Sequence, residues 1–465
     1  MTRPRPATRP GRAAARRVTS LRADLSLLRR RGFALLFCGR TISMFGNGFG
    51  PVAVAFGVLA VPGATPATLS TVLAAHAVPQ IGLILLGGVI ADRLPRHRLL
   101  VAAEVTSGAA FAALAGMLLT GWAPVVLLAG CAFVAGSASA LLLPTLTSIV
   151  PQVVGRTDLQ PANALLRLGA NGAHVAGVAL AGAAVAVLGP GVALAVDAAT
   201  YLVAAALLAR LRPAPPVAGA GRSGGPRTAR RVLTDLVVGL REFAGRQWLW
   251  VVVVSAAFLN AGSSAGFAVL GPVLAAERLG GAVPWSVILA AYTIGMLTSV
   301  LAALRVRPAR PLRTAALVTP LLAAPLLAMG GGAPLALVTV AAFAAGAALN
   351  LFSVLWETTL QQQVPSATLA RVTACNYLVA LSLKPVAIWL AGHAASGLGA
   401  GPAMLCLGAV VLVAGTAALA SPQVRDLTDD TRPKQAGTPP DPAGATAPAA
   451  PERATAGPDT RTEPR

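Results

Sequence analysis

Gly88-Val89-Ile90-Ala91-Asp92-Arg93-Leu94-Pro95-Arg96-His97-Arg98 sets a glycine, an acid and three arginines in a short turn between two long apolar runs. A chain that leaves a bilayer and re-enters it at once needs such a turn. Cations stay on the cytoplasmic side while the flanking residues cross the hydrocarbon. Every polytopic protein has short basic turns, so the spacing of acid and arginines, and the place of the turn in the chain, carry the reading further.

Composition agrees with lipid as the main solvent. Of 465 residues, 55% are hydrophobic and 11% charged, with a mean hydropathy of +0.72. Soluble domains carry about 25% charged residues, so one globule cannot hide this much apolar surface. The net charge of +21 would suggest nucleic acid on a soluble fold. Here the cations sit mainly in connecting segments, and no nucleic-acid partner is expected. Arg supplies nearly all of them, Lys384 and Lys434 being the two lysines. Cys38, Cys131, Cys375 and Cys406 stand singly in apolar stretches and read as small buried hydrophobes, not as disulfide or zinc ligands. No P-loop, G-x-S-x-G or H-E-x-x-H is present, and Gly46-x-Gly48-x-Gly50 lies inside an apolar span instead of after a strand. The chain is expected to be no enzyme and to need no cofactor or metal. It also lacks the charged rings or carbonyl filter of a channel.

A crossing helix needs about 20 apolar residues. Suitable runs fall at 33–60, 69–91, 99–119, 124–146, 163–187 and 190–210, then at 248–275, 284–304, 314–330, 334–356, 371–394 and 401–420. They predict an all-α membrane protein of twelve helices in two groups of six; the run 314–330 is short and holds Pro320 and Pro325. The connections alternate in charge. Arg93, Arg96 and Arg98, Arg156, Arg222 to Arg231, Arg305 to Arg313, and Arg371 fall on one side; Val61–Thr68 and Thr120–Ala123 fall on the other and carry no cation, with Arg278 the exception there. The positive-inside rule puts the first side, and both termini, in the cytoplasm. The expected organisation is a basic tail over 1–31, a six-helix bundle over 32–210, a cytoplasmic loop over 211–246, a second bundle over 247–420 and a disordered tail over 421–465. Thr19–Arg31 is suited to lie on anionic headgroups.

An internal repeat supports the two groups. Adding 214 to Arg93 and Arg96 lands on Arg307 and Arg310, and the same offset carries Val150-Pro151 onto Val364-Pro365. One residue more carries Val175-Ala176-Gly177 onto Leu390-Ala391-Gly392. Together they indicate two parallel-repeat halves. No acid stands opposite Asp92 in the second half.

Polar groups at membrane depth are expensive, about 3 kcal/mol or more for a central charge, so each is a candidate site. They are Arg40, Asn47, His76, Glu104, His174, Asp197, Asn260, Asn350, Asn376 and Lys384. Glu104, near the start of the third span, either snorkels to the surface or serves in gating. His174 reads more readily as a packing residue. Lys384, in mid-span before Pro385, needs an acidic or carbonyl partner, or an anionic substrate. Asn47 and Asn260 lie beside glycines at nearly equivalent points of the first and seventh spans, which suits a substrate pathway and close helix packing equally.

The turn around Asp92 resembles the signature loop G-x-x-x-D-R-x-G-R-R between helices 2 and 3 of the major facilitator superfamily, with Pro95 at the usual Gly and His97 at a usual Arg. Further stretches resemble the drug-exporter branch that holds the enterobactin exporter, macrolide efflux proteins and transmembrane secretion effectors. They are Arg40-Thr41-Ile42-Ser43-Met44-Phe45-Gly46-Asn47, Pro161-Ala162-Asn163-Ala164, Gly177-Val178-Ala179-Leu180-Ala181-Gly182, Val196-Asp197-Ala198-Ala199-Thr200-Tyr201, and Leu355 through Pro365 with Arg371-Val372. The resemblance spans residues 30–420. It implies the major facilitator fold and alternating access, with Gly88, Asp92, Arg93, Arg96 and Arg98 as the gating loop and Asp92 latching onto the start of helix 11. It also implies a multi-pass exporter of the inner (cytoplasmic) membrane, monomeric, moving a drug, antibiotic, siderophore or secondary metabolite against protons. Arg40, Asn47, Glu104, Asp197, Asn260, Asn350 and Lys384 are the cavity or coupling candidates. Three departures stand out: Asn47 replaces an Asp common in relatives, Val178 replaces the Pro of the helix 5 kink, and Val386 replaces the Gly after the helix 11 proline. Asn cannot titrate, which leaves Asp197 and Glu104 to carry protons. The alternatives are a lipid or anionic-nutrient transporter and, further off, a receptor or assembly scaffold.

Overall fold

The computed structural model describes residues 26–93, 95–155, 158–211, 245–305, 308, 310–364 and 366–426. Most of the expected tails and central loop, together with Arg156 and Arg307, lie outside the described residues. Among those described, the secondary structure is helical throughout. The long helices are α1 (Arg31–Leu59), α2 (Pro66–Arg93), α3 (Arg96–Thr120), α4 (Val125–Val153), α5 (Leu159–Leu188) and α6 (Pro190–Ala209). They continue with α7 (Gln247–Leu279), α8 (Ala282–Arg305), α9 (Pro311–Gly330), α10 (Leu335–Gln363), α11 (Ser366–Ser382 continuing as Lys384–Leu398) and α12 (Ala400–Ala420). Eleven helices among the described residues are long and apolar enough to cross a membrane. The 28-residue α2 completes the twelve expected. Helices α4 and α10 run past the expected ends of their apolar segments, to Val153 and Gln363. A helix satisfies its own backbone, so polar residues such as Gln152 and Gln361 extend it beyond the hydrocarbon without breaking it.

Irregular backbone falls where the sequence supplies a cause. Helix α1 is interrupted at Gly48-Phe49, where Gly48 N–H and Phe49 N–H donate to the carbonyls of Phe45 and Gly46 at 3.2 and 2.7 Å. Helix α9 tightens to 3₁₀ over Thr319–Ala323, at Pro320. Helix α11 breaks at Leu383, two residues before Pro385, whose ring crowds the preceding turn and whose nitrogen has no hydrogen to donate. Lys384 therefore begins a helical segment and does not sit in an unbroken helix. Helix α7 widens to π geometry over Gly266–Leu270 and Ala275–Leu279.

Packing repeats with a shift of six helices. Helix α1 lies on α5 and α6, α3 on α4 and α6, and α2 on α4; α7 lies on α11 and α12, α9 on α10 and α12, and α8 on α10. The two halves meet through α2 against α11 and α5 against α8, pairs that the same shift interchanges. Gly189 and Gly399, at φ 83° and 89°, make the matching turns before α6 and α12, a left-handed backbone that favours glycine. The expected two bundles of six helices are therefore present.

Lipid gives helices no hydrophobic reason to associate, so they close on small residues. Gly136 of α4 lies against the backbone of His76 in α2, and Gly346 of α10 against that of Tyr292 in α8. Between the bundles, Gly182 of α5 abuts Ala282 and Ser286 of α8, and Gly392 of α11 abuts Pro66 and Ser70 of α2. Ser70 Oγ donates to the Trp389 carbonyl at 3.3 Å. All of these inter-bundle contacts lie toward the cation-poor end. Among the described residues, α2 packs along Lys384–Leu398 and only lightly on Ser366–Ser382. Large apolar side chains such as Val126, Leu337 and Val413 point outward, as a lipid-facing surface requires. Cys375 is buried, but Cys38 and Cys406 are exposed on that outer face, so the expectation of four buried cysteines holds only in part.

Candidate functional site

Four helices of the first bundle converge on a buried polar cluster. Arg40, Ser43 and Asn47 recur at helical spacing on one face of α1, and Asp197, Thr200 and Tyr201 do so on α6. Helix α3 adds Glu104 and α5 adds His174. Glu104 is 1% exposed and accepts a hydrogen bond from Ser43 Oγ, with oxygen distances of 3.0 and 3.3 Å. It does not snorkel to the surface, the first of the two options its position allowed. Arg40 is near enough to Glu104 and Tyr201 to act on both electrostatically. The His174 ring lies beside the Met44 backbone. Asn47 Nδ2 donates to Tyr201 Oη at 3.1 Å, and the Tyr201 ring stacks on Phe111 with centroids 5.5 Å apart.

Asp197 is the exceptional member. It is fully buried, and among the described residues neither carboxylate oxygen has a hydrogen-bond partner. The glycines of α1 make room for it. A Cβ on Gly46 would stand 2.8 Å from Asp197 Oδ1, and one on Gly50 would stand 3.0 Å from Oδ2. A Cβ on Gly48 would stand 2.6 Å from the Val178 nitrogen, so this glycine admits the α5 backbone. The break in α1, the absence of side chains at 46 and 50, and the carboxylate thus form one unit. Glu104 lies near enough to Asp197 for the two carboxyl groups to act on each other electrostatically. A buried ionised carboxylate without partners costs several kcal/mol, at order of magnitude, and a protonated one far less.

The other candidates are elsewhere. Asn260 donates to the Ala256 carbonyl of its own helix at 2.9 Å, and Asn350 donates to Ser299 Oγ at 2.8 Å. The Asn260 amide thus serves its own helix, whereas that of Asn47 bridges to α6. Asn376 is buried on α11. Lys384 lies near His76 of α2 and has no carboxylate within ion-pair distance among the described residues. In the signature turn, α2 ends at Arg93 and α3 begins at Arg96, with Pro95 as its N-cap. Arg98 is exposed. The side chains of Asp92, Arg93 and Arg96 lie outside the described set, and so does the expected latch.

Sequence reading passed over Ser43 and Tyr201, although both stood in stretches it singled out. The signal was helical spacing: Ser43 is three residues from Arg40, and Tyr201 four from Asp197. It also missed a cavity of about 220 Å³ inside the second bundle, between α7, α8, α9 and α10.

The fold and the buried cluster define a membrane transporter of the major facilitator type. Residues 22–446 match the family of transmembrane secretion effectors, and the chain belongs to that family. Among curated proteins no relative matches. The chain is similar in fold to a variant of the nucleoside transporter NupG, at 11% identity and TM-score 0.67, covering 83% of this chain and 99% of that one. It is similar to a POT family transporter in complex with 5-aminolevulinic acid, at 14% identity and TM-score 0.64, covering 85% and 97%. It also resembles a bacterial homologue of the human lysosomal transporter Spinster, inward-facing and unoccupied, at 14% identity and TM-score 0.62, covering 86% and 97%. These solved structures are transporters, and the family and fold make this chain a transporter, not an enzyme.

Proposed function

We propose that the protein exports a small amphipathic molecule such as a drug, siderophore or secondary metabolite, by alternating access coupled to protons. The observation that carries this reading is Asp197, a fully buried carboxylate without a hydrogen-bond partner among the described residues, beside a second buried acid, Glu104. A group whose charged form is costly and whose neutral form is tolerated is suited to take up and release protons as access alternates. Arg40 lies near Glu104, so the two acids stand in different charge surroundings and would exchange protons at different points of the cycle. By the positive-inside rule the cation-rich end is cytoplasmic. The contacts at the opposite end then correspond to a state closed outside and open to the cytoplasm, the state in which an exporter loads. In the closing step Asp92 would latch onto the start of α11, where the N-terminal helix dipole favours a carboxylate.

The test uses inside-out vesicles from cells expressing the full chain. An acid-inside gradient should drive accumulation of ethidium, and an uncoupler should abolish it. Asp197→Asn should remove the pH drive and retain dye binding. PH-driven transport surviving in both Asp197→Asn and Glu104→Gln would overturn the assignment of these carriers.

A second reading has its own support. Lys384 lacks a carboxylate partner among the described residues, which favours an anionic group on the substrate. An anionic dye transported faster than ethidium, and lost on Lys384→Gln, would favour an organic-anion transporter.

A further inference from the structure

The cavity of about 220 Å³ in the second bundle is walled by two irregular backbones, the 3₁₀ segment of α9 and the start of the π segment of α7. Such irregularities within long helices recur at functional sites. Its lining divides into two chemistries. Phe267, Tyr292 and Phe352 supply aromatic faces, with the first two at 4.9 Å between centroids, and leucines fill the remaining apolar wall. Asn260, Ser263, Ser264 and Thr319, with the Tyr292 hydroxyl, supply polar atoms. Thr319 Oγ1 is engaged by the Ala316 and Gly415 carbonyls at 2.9 and 3.1 Å, and Asn260 Nδ2 by Ala256. Ser263 Oγ is buried and has no partner among the described residues. The cavity therefore offers the unpartnered Ser263 hydroxyl and the Asn260 carbonyl oxygen, beside the Ser264 and Tyr292 hydroxyls, among rings.

Among the described residues, no Asp, Glu, Lys, Arg or His lines it. An ionised ligand would give up its water there without a counter-charge, a loss that selects against it. Drug-sized sites run to roughly 300–1,000 Å³, so this one fits one ring system and not a whole large molecule. The charged groups of the buried cluster, Arg40, Glu104 and Asp197, belong to the other bundle, and Lys384 of α11 is not among the residues that line this cavity. We infer that this cavity binds an uncharged, phenol-like ring portion of the transported molecule, whose hydroxyl donates to Asn260 Oδ1 and accepts from Ser263 Oγ. The inference deepens the transport reading and rests on it: one bundle handles protons, and the other recognises the neutral ring.

Binding is measured by calorimetry on the full chain in lipid nanodiscs, with empty nanodiscs subtracted. The probes are 2-naphthol and its cationic counterpart 2-naphthylmethylammonium. The parent should prefer 2-naphthol. Ser263→Leu, which fills the cavity and removes the hydroxyl, should weaken 2-naphthol at least about tenfold, and Gly116→Ala, where a Cβ meets nothing, should leave it unchanged. Asn260→Asp is similar in size and puts a carboxylate on the wall, so it should turn the preference toward the cation. It provides a second reading if Ser263→Leu proves unstable to heating. Parent affinity for 2-naphthol in both Ser263→Leu and Asn260→Asp, or a parent indifferent to ligand charge, would overturn the inference. These are equilibrium measurements and need no flux. A failure of pH-driven transport would sink the export reading separately.

Discussion

The glycines at the inter-bundle seams give the most exposed prediction. Gly182 faces Ser286 and the Ala282 carbonyl, and a Cβ there would stand 2.5 Å from Ser286 Oγ and 2.8 Å from Ser286 Cβ. Gly392 faces Ser70 and the Pro66 carbonyl in the related seam. In each case part of the obstruction is backbone, so a methyl group fits only if the helices part. Overpacking a close contact costs about 1–3 kcal/mol. In the alternating-access cycle proposed above the seams separate in the opposite state, so the cost should fall on the state closed at the cation-poor end. With each 1.4 kcal/mol worth about tenfold in population, either Gly182→Ala or Gly392→Ala should disfavour that state by roughly 5- to 150-fold. The seams involve different helix pairs, so the double variant should act nearly additively. Spin labels at Thr120 and Gly397, placed after replacing Cys38, Cys131, Cys375 and Cys406 with alanine, report the separation of the bundles at that end by pulsed electron resonance. The longer-distance population should grow in each variant and dominate in the double. Gly116→Ala, where a Cβ meets open space, should leave the distribution unchanged. An unaltered distribution in the double variant would refute the reasoning.

Gly46→Ala should destabilise the protein by about 1–3 kcal/mol, because the new methyl meets Asp197 Oδ1 and the Thr200 side chain; thermal unfolding in detergent measures this, and the smaller Thr200→Ser should not restore stability as fully as Thr200→Ala. Tyr201→Phe removes the acceptor of Asn47 Nδ2 and should cost about 0.5–1.5 kcal/mol while keeping the stack on Phe111; a larger loss in transport than in stability would mark the bond as part of the cycle. Asp92→Asn should insert normally and transport poorly, and Arg98→Ala should be milder; parent-rate transport in Asp92→Asn would remove the latch from the mechanism.

The fold was largely legible because lipid imposes it. Apolar runs of crossing length, arginine-rich turns on one side and a near-constant offset between halves leave few other arrangements. The helix count survived even at α9, whose prolines tighten one turn to 3₁₀ without ending the span. The site was legible residue by residue but not as a cluster. Asp197 and Glu104 stand out in any apolar run, yet their meeting depends on α1 lying against α6 and α3 against α6, which no local pattern states. The glycines of α1 were noticed, but their purpose needs the carboxylate they face. Sequence symmetry between Asn260 and Asn47 does not say whether an amide turns to its own helix, as at Asn260, or to a neighbour, as at Asn47. The cavity of the second bundle left Asn260 and Pro320 as traces, but not its outline, since π geometry in α7 has no comparable signature.

Proton movement itself tests the central claim most directly. Proteoliposomes holding the full chain and a trapped pH-sensitive dye are given ethidium on one side with no initial pH gradient. The account predicts that substrate movement drives protons the opposite way in the parent. Asp197→Asn should exchange ethidium across the membrane without moving protons. Proton movement at the parent rate in Asp197→Asn, with the substrate still exchanging, would contradict it.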